Sequence, residues 1–170
     1  ATTVWDDTIL TPDNQDTIFN SYRDIGIRAV VTATMYDKRL ADRTVFLRES
    51  LPPELHEPLL REKLTTPDEW IDLSEGIIKK WHGKDGRLNF AVSVAWPQGC
   101  SDELMLRAAD LAQKYNLPYV THVLETKMQQ VTGEVFYGKT FVRYLYDLGV
   151  LNPRTSIVHG IWVTDEDIRI

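Results

Sequence analysis

The sequence predicts an α/β fold built on a parallel sheet, and two observations carry that prediction. Short apolar runs without internal polar alternation recur along the 170 residues, as expected of strands buried on both faces. Stretches with helical periodicity and recognisable start and stop signals separate them. Strand–helix alternation of this kind yields right-handed crossovers and a parallel sheet. Five such units suit either an open doubly wound sheet or five consecutive units of an eight-stranded barrel of about 250 residues. The chain begins on a strand and stops where a helix starts, so the expectation is a partial (β/α)8 TIM-type barrel. It is read as one partial domain over residues 1–170, with a long insertion after the second strand.

In chain order, strands are expected at Thr3–Asp6, Arg28–Ala33, Leu88–Ala95, Leu117–His122 and Ser156–His159. The first helix, Asn14–Ile25, opens after Thr11-Pro12-Asp13 and stops at Gly26, a favoured helix terminator. The stretch Asp37–Thr66 is long and charged, and contains Pro52-Pro53; it reads either as a lid or binding loop or as a helical excursion that only packs on the surface. Pro67–Trp81 follows Thr65-Thr66 and ends before Gly83. Ser101–Tyr115 opens on Ser-Asp-Glu and places Leu104, Ala108, Leu111 and Ala112 on one side. A polar gap with Lys127, Gln129 and Gln130 leads to a helix at Lys139–Leu148, stopped by Gly149. Thr164-Asp165-Glu166-Asp167 reads as one more helix start.

Composition narrows the function. A net charge of −6 and the lack of a basic cluster interleaved with aromatics argue against nucleic acid. The single Cys100 excludes an intrachain disulfide and a cysteine-rich zinc site. No apolar run approaches about twenty residues and no signal pattern opens the chain, so a cytoplasmic protein away from membranes is expected.

The chemistry concentrates at two strand ends. Leu117–His122 closes on a histidine followed by Glu125-Thr126, and Ser156–His159 closes on a second histidine followed by Gly160. Adjacent parallel strands would bring the two histidines to one rim of the sheet, with side chains within about 8 Å. A strand-end histidine otherwise serves as a structural hydrogen-bonder, and Glu125 has an ordinary use beside a helix N-terminus. Asp6 and Asp7 end the first strand, Tyr36 and Asp37 follow the second, and Trp96 and Gln98 follow the third. In a barrel all of these face the pocket mouth. Tyr36 and Trp96 are the candidate substrate contacts; Trp96 could stack on a flat heterocycle or pack into the core. His56 and His82 sit in charged contexts and read as surface residues.

His122-x-x-Glu125-Thr126 after one strand, then His159-Gly160 and Thr164-Asp165-Glu166-Asp167-Ile168 after the next, resemble the amidohydrolase superfamily. The likeness is to its branch of cytosine deaminase, methylthioadenosine deaminase and atrazine chlorohydrolase. It extends upstream through Thr2–Asp6 and Tyr22–Val30. The resemblance implies a metal-dependent hydrolase or deaminase that breaks a C–N or C–Cl bond of a nitrogen heterocycle with a metal-activated water. His122 would bind the metal, zinc being the expected ion and iron the alternative. Glu125 would shuttle the proton, and His159 would either bind the metal or orient the water. A homo-oligomer acting on a small heterocycle is implied as well. The His-x-His of the family's first strand and the metal-binding Asp of its last are absent from these residues, so the 170-residue chain alone is expected to be inactive.

Two rival readings exist. Gly133-Glu134-Val135-Phe136-Tyr137-Gly138-Lys139-Thr140 matches the phosphate-binding pattern G-x-x-x-x-G-K-[ST], which requires a strand ending directly before the first glycine. A non-catalytic α/β domain with structural histidines is the other. His-Glu-x-x-His, Gly-x-Ser-x-Gly and the paired cysteines of cytidine deaminases do not occur.

Overall fold

The computed structural model describes residues 2–170. Five strands, β1 (Thr3–Thr8), β2 (Arg28–Met35), β3 (Leu88–Val94), β4 (Tyr119–Val123) and β5 (Thr155–His159), form one sheet in the order β1-β2-β3-β4-β5. Every pairing is parallel. The sheet curls into a half-barrel with helices between its strands.

Between β1 and β2 runs α1 (Gln15–Ile25), ended by Gly26 in the left-handed region at φ 80°. The excursion after β2 consists of α2 (Leu40–Arg43), α3 (Leu47–Ser50), a single 3-10 turn at Pro53–Leu55 and α4 (His56–Leu60). The excursion is thus built largely of short helices. α5 (Pro67–Trp81) opens on a complete capping box between Thr66 and Glu69, with Pro67 in the first turn. α6 (Asp102–Tyr115) opens on the Ser101 hydroxyl and buries Leu104, Met105, Ala108, Leu111 and Ala112.

Two helices, not one, join β4 to β5. α7 (Lys127–Tyr137) occupies the stretch read as a polar gap, and α8 (Phe141–Leu148) begins only after Thr140, whose hydroxyl caps it. The buried residues of α7 are Gln129, Thr132 and Gly133, so the helix shows no apolar stripe to a hydrophobic pattern. This arrangement also removes the phosphate loop. Gly133 lies within α7, where backbone amides are committed to the helix, and Gly138 is its left-handed C-cap at φ 65°. The last predicted helix is a 3-10 turn, Asp167–Arg169. Strand bounds shift modestly: β1 and β2 run two residues further than expected, β3 stops at Val94, and β4 starts at Tyr119 and includes Val123.

The core lies between the sheet and its helices. Phe19 stacks on Trp81 with ring centroids 5.1 Å apart, and Phe90, Ile77, Leu104, Tyr119 and Phe141 are buried in the same core. Burying each such side chain contributes roughly 1.5–3 kcal/mol relative to exposure. This packing fixes the sheet from behind and leaves the strand ends to carry polar groups.

Candidate functional site

His122 occupies the fourth position of β4 and pairs in register with Val158 of β5. Its backbone amide and its Nδ1 both contact the carbonyl oxygen of Ala95, each at 3.1 Å. A carbonyl only accepts, so Nδ1 carries the hydrogen and donates it. In the neutral ring, Nε2 is then the free acceptor, the state a metal ligand requires.

His159 reaches the same place by a different route. It pairs with Val123, so strand alternation alone would send it to the face opposite His122. Its backbone instead adopts φ 77°, a left-handed conformation that non-glycine residues seldom occupy. The kink turns the imidazole into the rim, and the ring centroids of His122 and His159 lie 5.4 Å apart. Both histidines thus meet at the rim expected of them. Leu124, just after β4, is also left-handed at φ 55°. The two exits are tied together: Gly160 donates its amide to Val123 O, and Ile161 and Trp162 donate to Leu124 O. Such locally costly backbone is retained where the surrounding structure enforces it.

Glu125 stands immediately before Thr126, the N-cap of α7. Its Oε1 lies 3.7 Å from His159 Nε2, and its amide donates to Gln129 Oε1 at 2.7 Å. Gln129 is buried and therefore fixes the loop that presents Glu125. Glu125 also lines a small cavity of about 170 Å³ with Arg43, Thr44, Trp96, Gln98 and Gln129. The excursion after β2 therefore supplies part of this wall, so the lid-or-loop reading captured its location if not its structure.

The two aromatic candidates behave differently. Trp96 lines that cavity, whereas Tyr36 is not among its lining residues. Tyr36 packs toward Trp70, whose indole Nε1 donates to the Tyr36 carbonyl oxygen at 2.7 Å. Between the two candidates sits Arg43, with its guanidinium carbon 4.8 Å from the Tyr36 ring and 5.2 Å from that of Trp96. Aromatic faces offset part of the cost of burying that cation. His82 accepts the Phe90 amide at 3.2 Å, and His56 contacts Leu51 O at 3.0 Å; both stand apart from the rim.

Asp7 joins the site from β1, packed close to His122. Its Oδ2 lies 3.1 Å from His122 Nε2, while Thr34 donates to its Oδ1 at 3.2 Å and Thr32 donates to the same oxygen. The sequence placed Asp7 at a strand end but offered no means of separating it from Asp6. Gln129 was missed, although Thr126-Lys127-Met128-Gln129 has capping-box spacing and would have located both the helix and the residue. Arg43 and Thr44 carried no signal, because their position depends on how the excursion folds back. Among the described residues, no three His, Cys, Asp or Glu side chains gather closely enough to hold an ion by themselves. The donor chemistry of the closest pair nevertheless fits a divalent ion: an imidazole nitrogen beside a buried carboxylate oxygen.

A parallel half-barrel with histidines and a carboxylate at the C-terminal ends of its strands is a partial TIM-type barrel whose polar groups stand where such barrels carry their active sites. The amidohydrolase family model matches residues 1–170, and the chain belongs to that family. It is 32% identical over 156 residues to the 5'-deoxyadenosine deaminase of Methanothermobacter thermautotrophicus, covering 91% of this chain and 31% of that one. Among solved structures, atrazine chlorohydrolase from Arthrobacter aurescens complexed with zinc superposes with a TM-score of 0.80 at 20% identity, over 98% of this chain and 35% of that one. Guanine deaminase from C. acetobutylicum with bound guanine gives a TM-score of 0.77 at 21% identity, over 99% and 36%. At such identities the structural likeness speaks to the fold. The chain spans about a third of the length of the relatives it matches.

Proposed function

We propose that this chain carries the central part of the active site of a metal-dependent deaminase or related hydrolase acting on an amino-substituted nitrogen heterocycle. The observation that carries the reading is the convergence of His122, His159 and Glu125 at the rim where β4 and β5 end. Family membership and similarity to a 5'-deoxyadenosine deaminase support it, and they make 5'-substituted adenosines the first substrates to test.

His122 would hold the ion through Nε2, with zinc the first candidate in view of the zinc-complexed structural relative. A bound divalent ion supplies Lewis-acid chemistry and brings the pKa of water toward neutrality. Glu125 accepts a proton from the attacking water as the new C–O bond forms and delivers it to a ring nitrogen; it then takes the remaining proton of the added hydroxyl and passes it to the departing amine as the carbonyl forms and the C–N bond breaks. Its position before the N-cap of α7, held by Gln129, leaves the carboxylate free to move between those partners. His159 neighbours both groups and orients the water or joins the metal-binding set. Trp96 and Arg43 form the wall beside Glu125 and would contact the substrate. In keeping with the chemistry, the reaction belongs to small molecules, and the enzyme is proposed to be a cytoplasmic homo-oligomer. No helix among the described residues is long and apolar enough to cross a membrane.

The test is metal analysis together with ammonia release from adenosine derivatives, guanine, aminopyrimidines and triazines, using the protein at its full native length. Glu125→Gln should retain the metal while losing roughly 10²- to 10⁴-fold in turnover, because an amide cannot accept the proton. His122→Ala should lose metal and activity together. Full turnover in the Glu125→Gln protein would return that residue to a loop-and-helix-start role.

A further inference from the structure

Asp6 and Asp7 are neighbours that strand alternation sends to opposite faces of β1. Asp6 Oδ2 accepts the Tyr22 hydroxyl at 2.8 Å on the helix side. Asp7 points to the other face, where Thr32 and Thr34 of β2 take up its Oδ1. Its Oδ2 is buried and has no hydrogen-bond partner among the described residues. Facing it at 3.1 Å is Nε2 of His122.

That contact is informative because of the other side of the ring. Since Ala95 O takes the hydrogen of Nδ1, Nε2 is the ring nitrogen left for another partner, and its contact with Oδ2 does not satisfy that oxygen with a hydrogen bond. The side chains of Asp7 and His122 are only 15% and 19% exposed, so water does little to satisfy either atom. A cation between them would satisfy both. Ligand atoms about 2.0–2.1 Å from a tetrahedral zinc stand about 3.3 Å from one another, close to the observed separation.

We infer that Asp7 belongs to the metal site of this chain, its Oδ2 and His122 Nε2 facing the same divalent ion while Thr32 and Thr34 hold the carboxylate in place. The inference rests on the metal-hydrolase reading and adds to it a carboxylate from the first strand. The competing occupant of the gap is a proton on Nε2, which would make the pair a plain ion pair indifferent to metal.

Zinc titration of the metal-stripped, full-length protein against a chromophoric chelator separates the two, with metal per chain counted and folding checked by circular dichroism. Asp7→Asn should bind zinc at least about 10-fold more weakly than wild type, a loss no smaller than that seen when groups merely supporting metal ligands are removed. Thr34→Val should shift affinity the same way by less, and Asp6→Asn should leave it unchanged. Wild-type affinity in Asp7→Asn, with binding lost in His122→Ala, would overturn the role of Asp7 and leave the metal reading standing. Absence of zinc binding by the wild-type protein would overturn both. Should Asp7→Asn fail to fold, Thr34→Val decides, and undiminished affinity there refutes the inference.

Discussion

At the scale of single residues, the site is assembled by backbone conformation as much as by side-chain identity. His159 reaches His122 only because its φ of 77° reverses strand alternation. Asparagine tolerates that region far better than most residues, so His159→Asn separates geometry from chemistry. Its unfolding free energy should stay within roughly 0.5 kcal/mol of wild type, as for most surface substitutions. Turnover should fall by about 10²-fold or more as the imidazole is lost. Parallel thermal melts and deaminase assays check this, and a comparable loss in both would assign His159 to structure. The meeting of His122 and His159 at one rim, with Glu125 beside His159, was legible in the sequence because each stands at a strand end or just beyond it, where pattern alone locates a residue. Asp7 was legible as a position but not as a partner. Its meeting with His122 depends on the curl that brings β1 and β4 together across β2 and β3, which no local pattern encodes.

Among the elements, α7 shows most clearly what hydrophobic periodicity misses. The helix is set by a cap at Thr126 and packs through Gln129, Thr132 and Gly133. A Cβ on Gly133 would lie 2.9 Å from the backbone oxygen of Lys139. Alanine would gain about 1 kcal/mol of helix propensity, yet backbone cannot yield as a flexible side chain does, and overpacking costs about 1–3 kcal/mol. Gly133→Ala is therefore expected to be destabilising, with a lowered thermal midpoint; a raised midpoint would mean that α7 and the start of α8 are not in contact. By contrast, α5 and α6 were readable almost to the residue, since both combine an explicit cap with an apolar face. These two helices are also tied by Glu75, which contacts Lys114 at 2.6 Å and accepts the Tyr115 hydroxyl at 2.7 Å. Hydrogen bonds from Lys114, Tyr115 and Lys79 bring its carboxyl down to about 2. A depressed carboxylate stabilises the fold above its unfolded pKa of about 4.3 and loses that contribution as pH falls toward 2. Glu75→Gln should thus lower the melting temperature at pH 6, and the gap from wild type should close by about pH 2 and narrow in high salt. A gap independent of pH would point to packing instead of charge.

Over the whole molecule, the sheet presents β1 and β5 as its two outer strands. Near them lie exposed apolar residues, with Trp5 at 50%, Ile161 at 65% and Trp162 at 41% exposure. Unpaired strand edges bordered by apolar side chains promote association. The 170-residue polypeptide prepared alone should self-associate in a concentration-dependent manner, read by sedimentation velocity, and should show no metal-dependent ammonia release. A monodisperse, active monomer would mean that the half-barrel suffices by itself. The parallel fold class was evident from strand–helix alternation, and the curled sheet expected in preference to an open one is the one observed, although local pattern alone does not separate the two.

The amides of Gly160, Ile161 and Trp162, bonded to the carbonyls of Val123 and Leu124, act as a cross-brace between neighbouring strand ends. Flexing of the half-barrel should therefore carry the two strand ends along together. Breathing of the outer edges would in this way be uncoupled from the spacing on which the proposed chemistry rests.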